Sequence, residues 1–456
     1  MKRIAIVLIL SLSVLAMTSA ARPTAPVTLR VTPVTFSETI APIVFEHCAV
    51  CHRDGGAAPF ALVSYADAVK RARQIASVTR TRTMPPWHAE PGSYPFKDER
   101  RLTAAQITLI QEWMRQGMPE GDRSKLPPLP GIPSGWQLGT PDMIVELPAG
   151  YQVPADGPDV YRNFVISLSL SEDKWVSAIE FRPSARTAVH HALFFADTSG
   201  AARRADAEDA EPGFAGMGGR RWRNASLGGW ALGQQPHLLP EGIAMPLPKG
   251  ADLVLQYHFH PSGKAEIERP QIGLHFADHA PARTLTGIQL PPLFGFFAGI
   301  DIPAGEHYFR VHDSFVLPVD VEAVVVGAHA HYLGREMKMT ATFPNGEQKT
   351  LLWIKRWDFA WQDRYYFQEL VPLPKGTRLD GEVVWDNSAD NPDNPSDPPR
   401  RVTWGEQSTD EMGSVGIQVL PRRESDLDTL RQAYRQHVLT SAGSGALGAL
   451  RQRVLQ

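Results

Sequence analysis

Residues 126–135 read Leu-Pro-Pro-Leu-Pro-Gly-Ile-Pro-Ser-Gly, a run too rich in proline and glycine to lie inside a helix or a strand. It reads as the core of a semi-rigid linker spanning 126–139, and the texture of the chain differs on its two sides. Upstream, within 36–125, apolar residues recur at helical spacing. Ile40, Ile43 and Val44 form one stripe that continues at His47, residues 65–81 form a second helix, and a third opens at Thr103. Thr103 with Gln106 three residues on is a capping-box pattern, followed by Ile107, Ile110 and Trp113 on one face. Downstream the period changes to that of short strands broken by proline and glycine, at 160–170, 174–182, 253–260, 321–331 and 349–356. The expected architecture is multidomain: a small all-α domain at 36–125, then two all-β, jelly-roll-like sandwiches at 140–285 and 286–425. The tail, 426–456, reads as helical and is expected to fray through Ser441-Ala-Gly-Ser-Gly445.

The chain has 456 residues, a formal charge of -3 and two cysteines. Lys2 and Arg3, an apolar run over 4–17 and the small residues Ser19, Ala20 and Ala21 read as a secretory signal peptide at 1–21, which implies a periplasmic or secreted protein. The run is shorter than the roughly 20 residues that span a bilayer, and the apolar stretch at 290–300 holds Pro291-Pro292 and glycines. No transmembrane segment is expected after cleavage. The near-neutral charge and the single short basic cluster, Arg220-Arg221-Trp222-Arg223, argue against nucleic-acid binding. Both cysteines fall in one motif, which excludes a disulfide framework.

That motif is Cys48-Ala49-Val50-Cys51-His52, the attachment pattern of a c-type haem: two thiols add to the haem vinyl groups and the imidazole takes the iron. The competing reading, a thioredoxin-like redox pair, needs a preceding strand, whereas a helix precedes it here. The small helical domain is therefore expected to be cytochrome c-like. Met84, in a proline-rich loop, is the favoured distal ligand, with His88 its competitor.

A second group of metal-ligand residues lies beyond the linker. His329 and His331 close an apolar strand and share a face, so both rings can grip one ion, although two core histidines would look the same. His190 and His191 are adjacent, and neighbours on a regular strand face opposite ways. For both to bind one metal, the strand must end or twist there, or the rings must use the nitrogen nearer the backbone. His258 or His260, on another strand, offers a third ligand. Met412 follows Ser408-Thr409-Asp410-Glu411; its thioether suits Cu(I), and two histidines with one methionine favour copper over zinc. Asp410 and Glu411 read as solvated loop groups or supports for ligands, not as catalysts.

The order His-His, Gln-Tyr-His, His-x-His and Thr-Asp-Glu-Met, over about 140–425, resembles the copper type II, ascorbate-dependent monooxygenases, the family of the peptidylglycine α-hydroxylating and dopamine β-monooxygenases. The resemblance implies two coppers, one on each sandwich. His190, His191 and His258 would hold the electron-transfer copper, and His329, His331 and Met412 the oxygen-binding one. Three departures stand out: the chain lacks the family's disulfides, and it has Gly327 and Gly416 where the peptide enzyme has an arginine and a tyrosine. A peptidylglycine substrate is therefore not expected. The expectation is a copper-dependent monooxygenase that hydroxylates a C–H bond of a small-molecule substrate with O2, with one covalent haem c fed by an external electron donor or cytochrome. The alternative is a copper- and haem-binding electron-transfer protein without hydroxylase activity.

Overall fold

The computed structural model describes residues 33–131, 135–216 and 226–454, with side chains described up to 442. The expected signal peptide and the Arg220–Arg223 cluster lie outside these residues. The architecture is mainly antiparallel β-sandwich with a few helices. Among the described residues no helix is long and apolar enough to cross a membrane.

Three helices, Ala41–His47 (entered through a π-turn at Phe36–Ile40), Tyr65–Arg80 and Ala104–Arg115, enclose a core of Phe36, Ile40, Val44, Ile75, Ile110 and Trp113. The expected capping box is present: Gln106 N donates to Thr103 Oγ1 at 3.1 Å and Thr103 N donates to Gln106 Oε1 at 2.8 Å. Not all of 36–125 belongs to this core. Ala89 and Phe96 are buried in the second sandwich, and Glu90 N donates to Trp353 O at 2.7 Å and Lys97 N to Tyr366 O at 2.8 Å. The aromatic rings account for the departure: Phe96 stacks on Phe367 and Trp87 meets Tyr365 edge-on.

In the first sandwich, one sheet runs in the order Met143–Glu146, Gln271–Phe276, Lys174–Arg182, Met245–Leu247. The facing sheet runs Phe214–Ala215, Val160–Ser167, Asp252–Phe259, Val189–Asp197, Ser226–Ala231. Every residue of the central strand Asp252–Phe259 is buried. Leu253, Leu255, Tyr257 and Phe259 point into the core between the sheets, so alternation turns Val254, Gln256 and His258 to the outer face. That outer face is covered as well: Val254 packs with Phe195 and Phe214 beneath the helix Ala201–Glu208.

The second sandwich pairs the sheet Thr286–Leu290, Gly413–Pro421, Val321–Ala330, Arg364–Leu373 with the sheet Phe309–Val316, Arg378–Trp385, Gly334–Thr342, Gln348–Ile354. Its core includes Leu290, Val326, Met337, Met339, Val383 and Trp385. The last helix, Leu427–Val454, runs straight through the Ser441–Gly445 stretch expected to fray. Each isolated glycine costs about 1 kcal/mol against alanine, too little to stop a helix flanked by alanine and leucine. Tyr434 anchors its first turns: its hydroxyl donates to Gln289 O and accepts from Gln289 N, both at 2.9 Å.

Candidate metal centres

His190 stands at a β-bulge. Val189 is registered opposite Phe259 and His191 opposite His258, so His190 is the extra residue between them. A bulge re-aims a side chain that regular pleating would send to the other face, and here it brings both rings to one place: His190 Nδ1 lies 3.2 Å from His191 Nδ1. The convergence uses the nitrogens nearer the backbone, as the sequence required of adjacent histidines. His258 completes the group, with one ligand nitrogen from each ring within 4.8 Å of the others. His190 Nε2 donates to the carbonyl of Phe359 at 3.0 Å, which leaves Nδ1 with its lone pair. Of the two strand candidates, His258 joins the cluster. His260 turns outward and is paired through Nδ1 with Asp159 Oδ1 at 2.7 Å.

His329 and His331 lie on one face with ring centroids 5.3 Å apart. Each has its Nδ1 engaged: His329 with Gln362 Oε1 at 2.6 Å, His331 with the Asp410 carbonyl at 3.1 Å. That fixes both as Nδ1–H tautomers with Nε2 free to coordinate. The strand register sets Ser414 opposite His329 and Gly413 opposite Ala330, where the pairing ends, and the next residue, Met412, is almost fully buried. Continued one residue past the ladder, the same alternation would turn the Met412 side chain to the face of His329 and His331.

Burial lowers the basicity of these rings: His190 is brought down to about 3 and His329 to about 4, while His191 and His331 fall well below the ordinary value. Neutral imidazoles are the form that binds a metal, and those of His190, His329 and His331 are each tied by the other nitrogen. The donor sets, three histidines in one place and two histidines with a buried methionine in the other, suit a soft-to-borderline ion such as copper. The two groups face one another across a single ring. Phe359 stacks on His190 at 4.3 Å between centroids and lies 5.9 Å from His331.

Three residues that support the two groups, Asp159, Phe359 and Gln362, carried no signal in the sequence; for a fourth, Glu411, the sequence offered support of a ligand as one of two readings. Asp159, just before the strand Val160–Ser167, has Oδ2 3.1 Å from His258 Nε2, a contact not aligned as a hydrogen bond, and accepts from Ser408 Oγ. Burial alone would raise its carboxyl; the contacts with His258, Ser408 and His260 outweigh burial and hold it below the usual range. Phe359 and Gln362 come from the loop joining two strands of the second sandwich, and Gln362 Nε2 donates to the same Phe359 carbonyl at 3.2 Å. Glu411 is fully buried instead of solvated. It accepts from His331 N at 3.0 Å, Leu333 N at 2.6 Å and Trp385 Nε1 at 2.8 Å, and burial pushes its carboxyl up to about 8. It positions the backbone that carries His331.

Cys48 caps the C-terminus of the helix Ala41–His47, and a further turn, with His52 N donating to Cys48 O at 2.9 Å, gathers Cys48, Cys51 and His52. His52 Nδ1 faces the Phe60 carbonyl at 3.1 Å, leaving Nε2 for a metal. Burial pushes the Cys48 thiol up to about 12 and also raises Cys51. A thiolate-using redox pair wants the opposite shift and a helix N-terminus, so the surroundings do not favour that use. Met84 follows the helix Tyr65–Arg80, half-buried, its N donating to Val78 O at 3.2 Å. His88 leans on the second sandwich beside Arg356, with Nε2 buried and unpartnered among the described residues. Asp363 acts on both the Cys51 thiol and the His88 ring, so the Cys48–His52 segment and the loop bearing Phe359 and Gln362 share a neighbourhood.

No family model matches the chain, and no curated protein matches it. Among solved structures, the major capsid protein P2 from bacteriophage PM2 is similar at 9% identity over 61% of this chain and 97% of that one, with a TM-score of 0.24. PNGF-II is similar at 10% identity over 61% of this chain and 65% of that one, with a TM-score of 0.25.

Proposed function

We propose that this chain is a copper-dependent monooxygenase that hydroxylates a C–H bond with O2 and draws its electrons through a covalently attached haem. In this reading the sandwiches are jelly-roll-like and carry one copper each, held by His190, His191 and His258 and by His329, His331 and Met412. The helical part within 36–125 is a cytochrome c domain, with haem on Cys48, Cys51 and His52. When bound, the coppers and the haem supply single-electron transfers that dioxygen chemistry requires. The chain's own residues do the rest. The Phe359 and Asp410 carbonyls and Gln362 hold the ring nitrogens that must not coordinate. Glu411 fixes the backbone of His331, and the ring of Phe359 lies against both His190 and His331.

The observation that carries the reading is that the histidines with family-like spacing fall into two partly buried groups, each with lone pairs left over for an ion. The expected result is two equivalents of copper and one covalent haem per chain, with substrate-dependent incorporation of label from labelled oxygen that Met412→Ala abolishes. Uptake of a single copper, or product formation unaffected by Met412→Ala, would overturn it.

A further inference from the structure

Two buried donors where the segment before the linker meets the second sandwich have no acceptor. Trp87 Nε1 and Arg100 Nε are both closed off from solvent, and among the described residues neither finds a hydrogen-bond partner. A buried indole N–H ordinarily does, and leaving one unpaired is costly. The two groups lie together: the Arg100 guanidinium is 5.3 Å from the Trp87 ring, and Arg100 Nη2 donates to the carbonyl of Pro86, the residue before Trp87, at 3.3 Å. Neither is at liberty to turn elsewhere. The indole is packed edge-on against Tyr365 at 5.1 Å and tilted against Phe96 at 6.2 Å, and Arg100 Nη2 is held by Asp363 Oδ2 at 2.5 Å.

Two fixed N–H donors, one of them on a cation, suit a carboxylate, which accepts and does not donate. The nearby side-chain acid does not serve them: Asp363 spends Oδ2 on Arg100 Nη2 and Oδ1 on Arg364 N, at 2.9 Å. The neighbouring motif would bring another acid. Arg100 is one of the charged groups that act on the Cys51 thiol, together with Asp363 and Arg53, so the donors stand close to the point where a haem would be attached. A haem carries two propionates, and there it would meet two guanidiniums and one carboxylate.

We infer that Trp87 Nε1 and Arg100 Nε hold a haem propionate, so that Arg100 ties the haem to Asp363 and the second sandwich. The inference rests on the proposed function for the presence of the haem alone, not for copper or for oxygen chemistry. Asp363 follows Gln362, the partner of His329 Nδ1, so the contact joins the haem to the loop that supports the Met412 group. The test uses the full chain with its haem attached, counted by the mass added and by the haemochrome spectrum. Trp87→Phe removes one donor and keeps a ring; Arg100→Lys removes the other and keeps a charge beside Asp363. In each, the propionate-bending mode of the resonance Raman spectrum is expected to shift and the haem reduction potential to fall, because a propionate that is less well neutralised favours ferric iron. The axial-ligand bands are expected to stay, which separates loss of a propionate donor from displacement of an iron ligand. A variant that carries its haem, unfolds cooperatively and leaves both mode and potential unchanged overturns the inference; should one variant fail to fold, the other decides. A parent chain that takes up no haem overturns the haem reading and this contact with it, and the haem count keeps the two failures apart.

Discussion

Asp159 and Ser408 are hydrogen-bonded across the junction of the two sandwiches. Asp159 Oδ2 accepts from Ser408 Oγ and is approached by Ser408 N at 3.4 Å, four residues before Met412. The same carboxylate lies 3.1 Å from His258 Nε2. One buried acid thus bears on His258 of the three-histidine group and on the loop that leads to Met412. A change at either end is felt at the other through this contact, without a covalent link between the domains.

Removing the carboxylate should therefore separate the two roles. Asp159→Ala is expected to lower copper affinity at the three-histidine group by about 10- to 100-fold, the usual cost of losing a ligand's outer partner. Ser408→Ala, which spares His258, should leave that affinity within a few-fold and weaken only the Met412 group. Competition of Cu(I)-loaded protein against a chelator of known affinity reads both. Equal effects of the two substitutions on the three-histidine group would show that Asp159 acts only as an interdomain tie.

The buried histidines predict how the metal-free protein responds to acid. Burial holds His329 at about 4 and His190 at about 3, whereas in the unfolded chain both titrate near 6.5. Between those values the unfolded state binds protons that the folded state refuses, so the free energy of unfolding falls as pH falls. Each such histidine contributes a slope of about 1.4 kcal/mol per pH unit, beginning near pH 6.5 and continuing to about 4 for His329 and about 3 for His190. Urea midpoints of the metal-free protein should drop steeply over that window. His329→Gln should make the fall shallower; an unchanged slope would mean that the ring is already protonated in the fold.

What the sequence made legible were features set by local spacing. The capping box at Thr103 and Gln106, the shared face of His329 and His331 and the clustering of Cys48, Cys51 and His52 all follow from residues within a turn or two of one another. For His190 and His191 the spacing defined the problem, and the bulge is the answer the fold chose. Phe359, Gln362 and Asp159 were not legible as supports, because they lie far in the chain from the residues they hold. Phe359 reaches His190 over 169 residues and Asp159 reaches Ser408 over 249, and no periodicity marks either. Trp87 and Phe96 mattered more than their place before the linker suggested, since their rings pack against the second sandwich.

Gln362 should tune one group more than the other. It takes the Nδ1 proton of His329 at 2.6 Å and donates to the Phe359 carbonyl that also holds His190. In Gln362→Leu the His329 ring loses the partner that fixes its tautomer, while His190 keeps its own bond to Phe359. Copper affinity at the Met412 group is expected to fall by about tenfold or more, with a smaller change at the three-histidine group. Chelator competition and the spectroscopic signature of Cu(II) at each group distinguish the two.

Arg100 and Asp363 join the segment before the linker to the loop that supplies Gln362. Arg100 Nη2 contacts Asp363 Oδ2 at 2.5 Å, both side chains are nearly buried, and the guanidinium also lies 5.3 Å from the Trp87 ring. Taking away only the arginine strands a buried carboxylate, which costs about 3–5 kcal/mol, whereas replacing both partners with apolar residues removes the uncompensated charge and recovers most of that loss. Arg100→Met is therefore expected to lower the urea midpoint sharply and the double variant Arg100→Met with Asp363→Leu to restore much of it. Because Asp363 adjoins Gln362, the single variant should also weaken copper at the Met412 group. If stability falls while that affinity holds, the ion pair fastens the segment without governing the ligand loop.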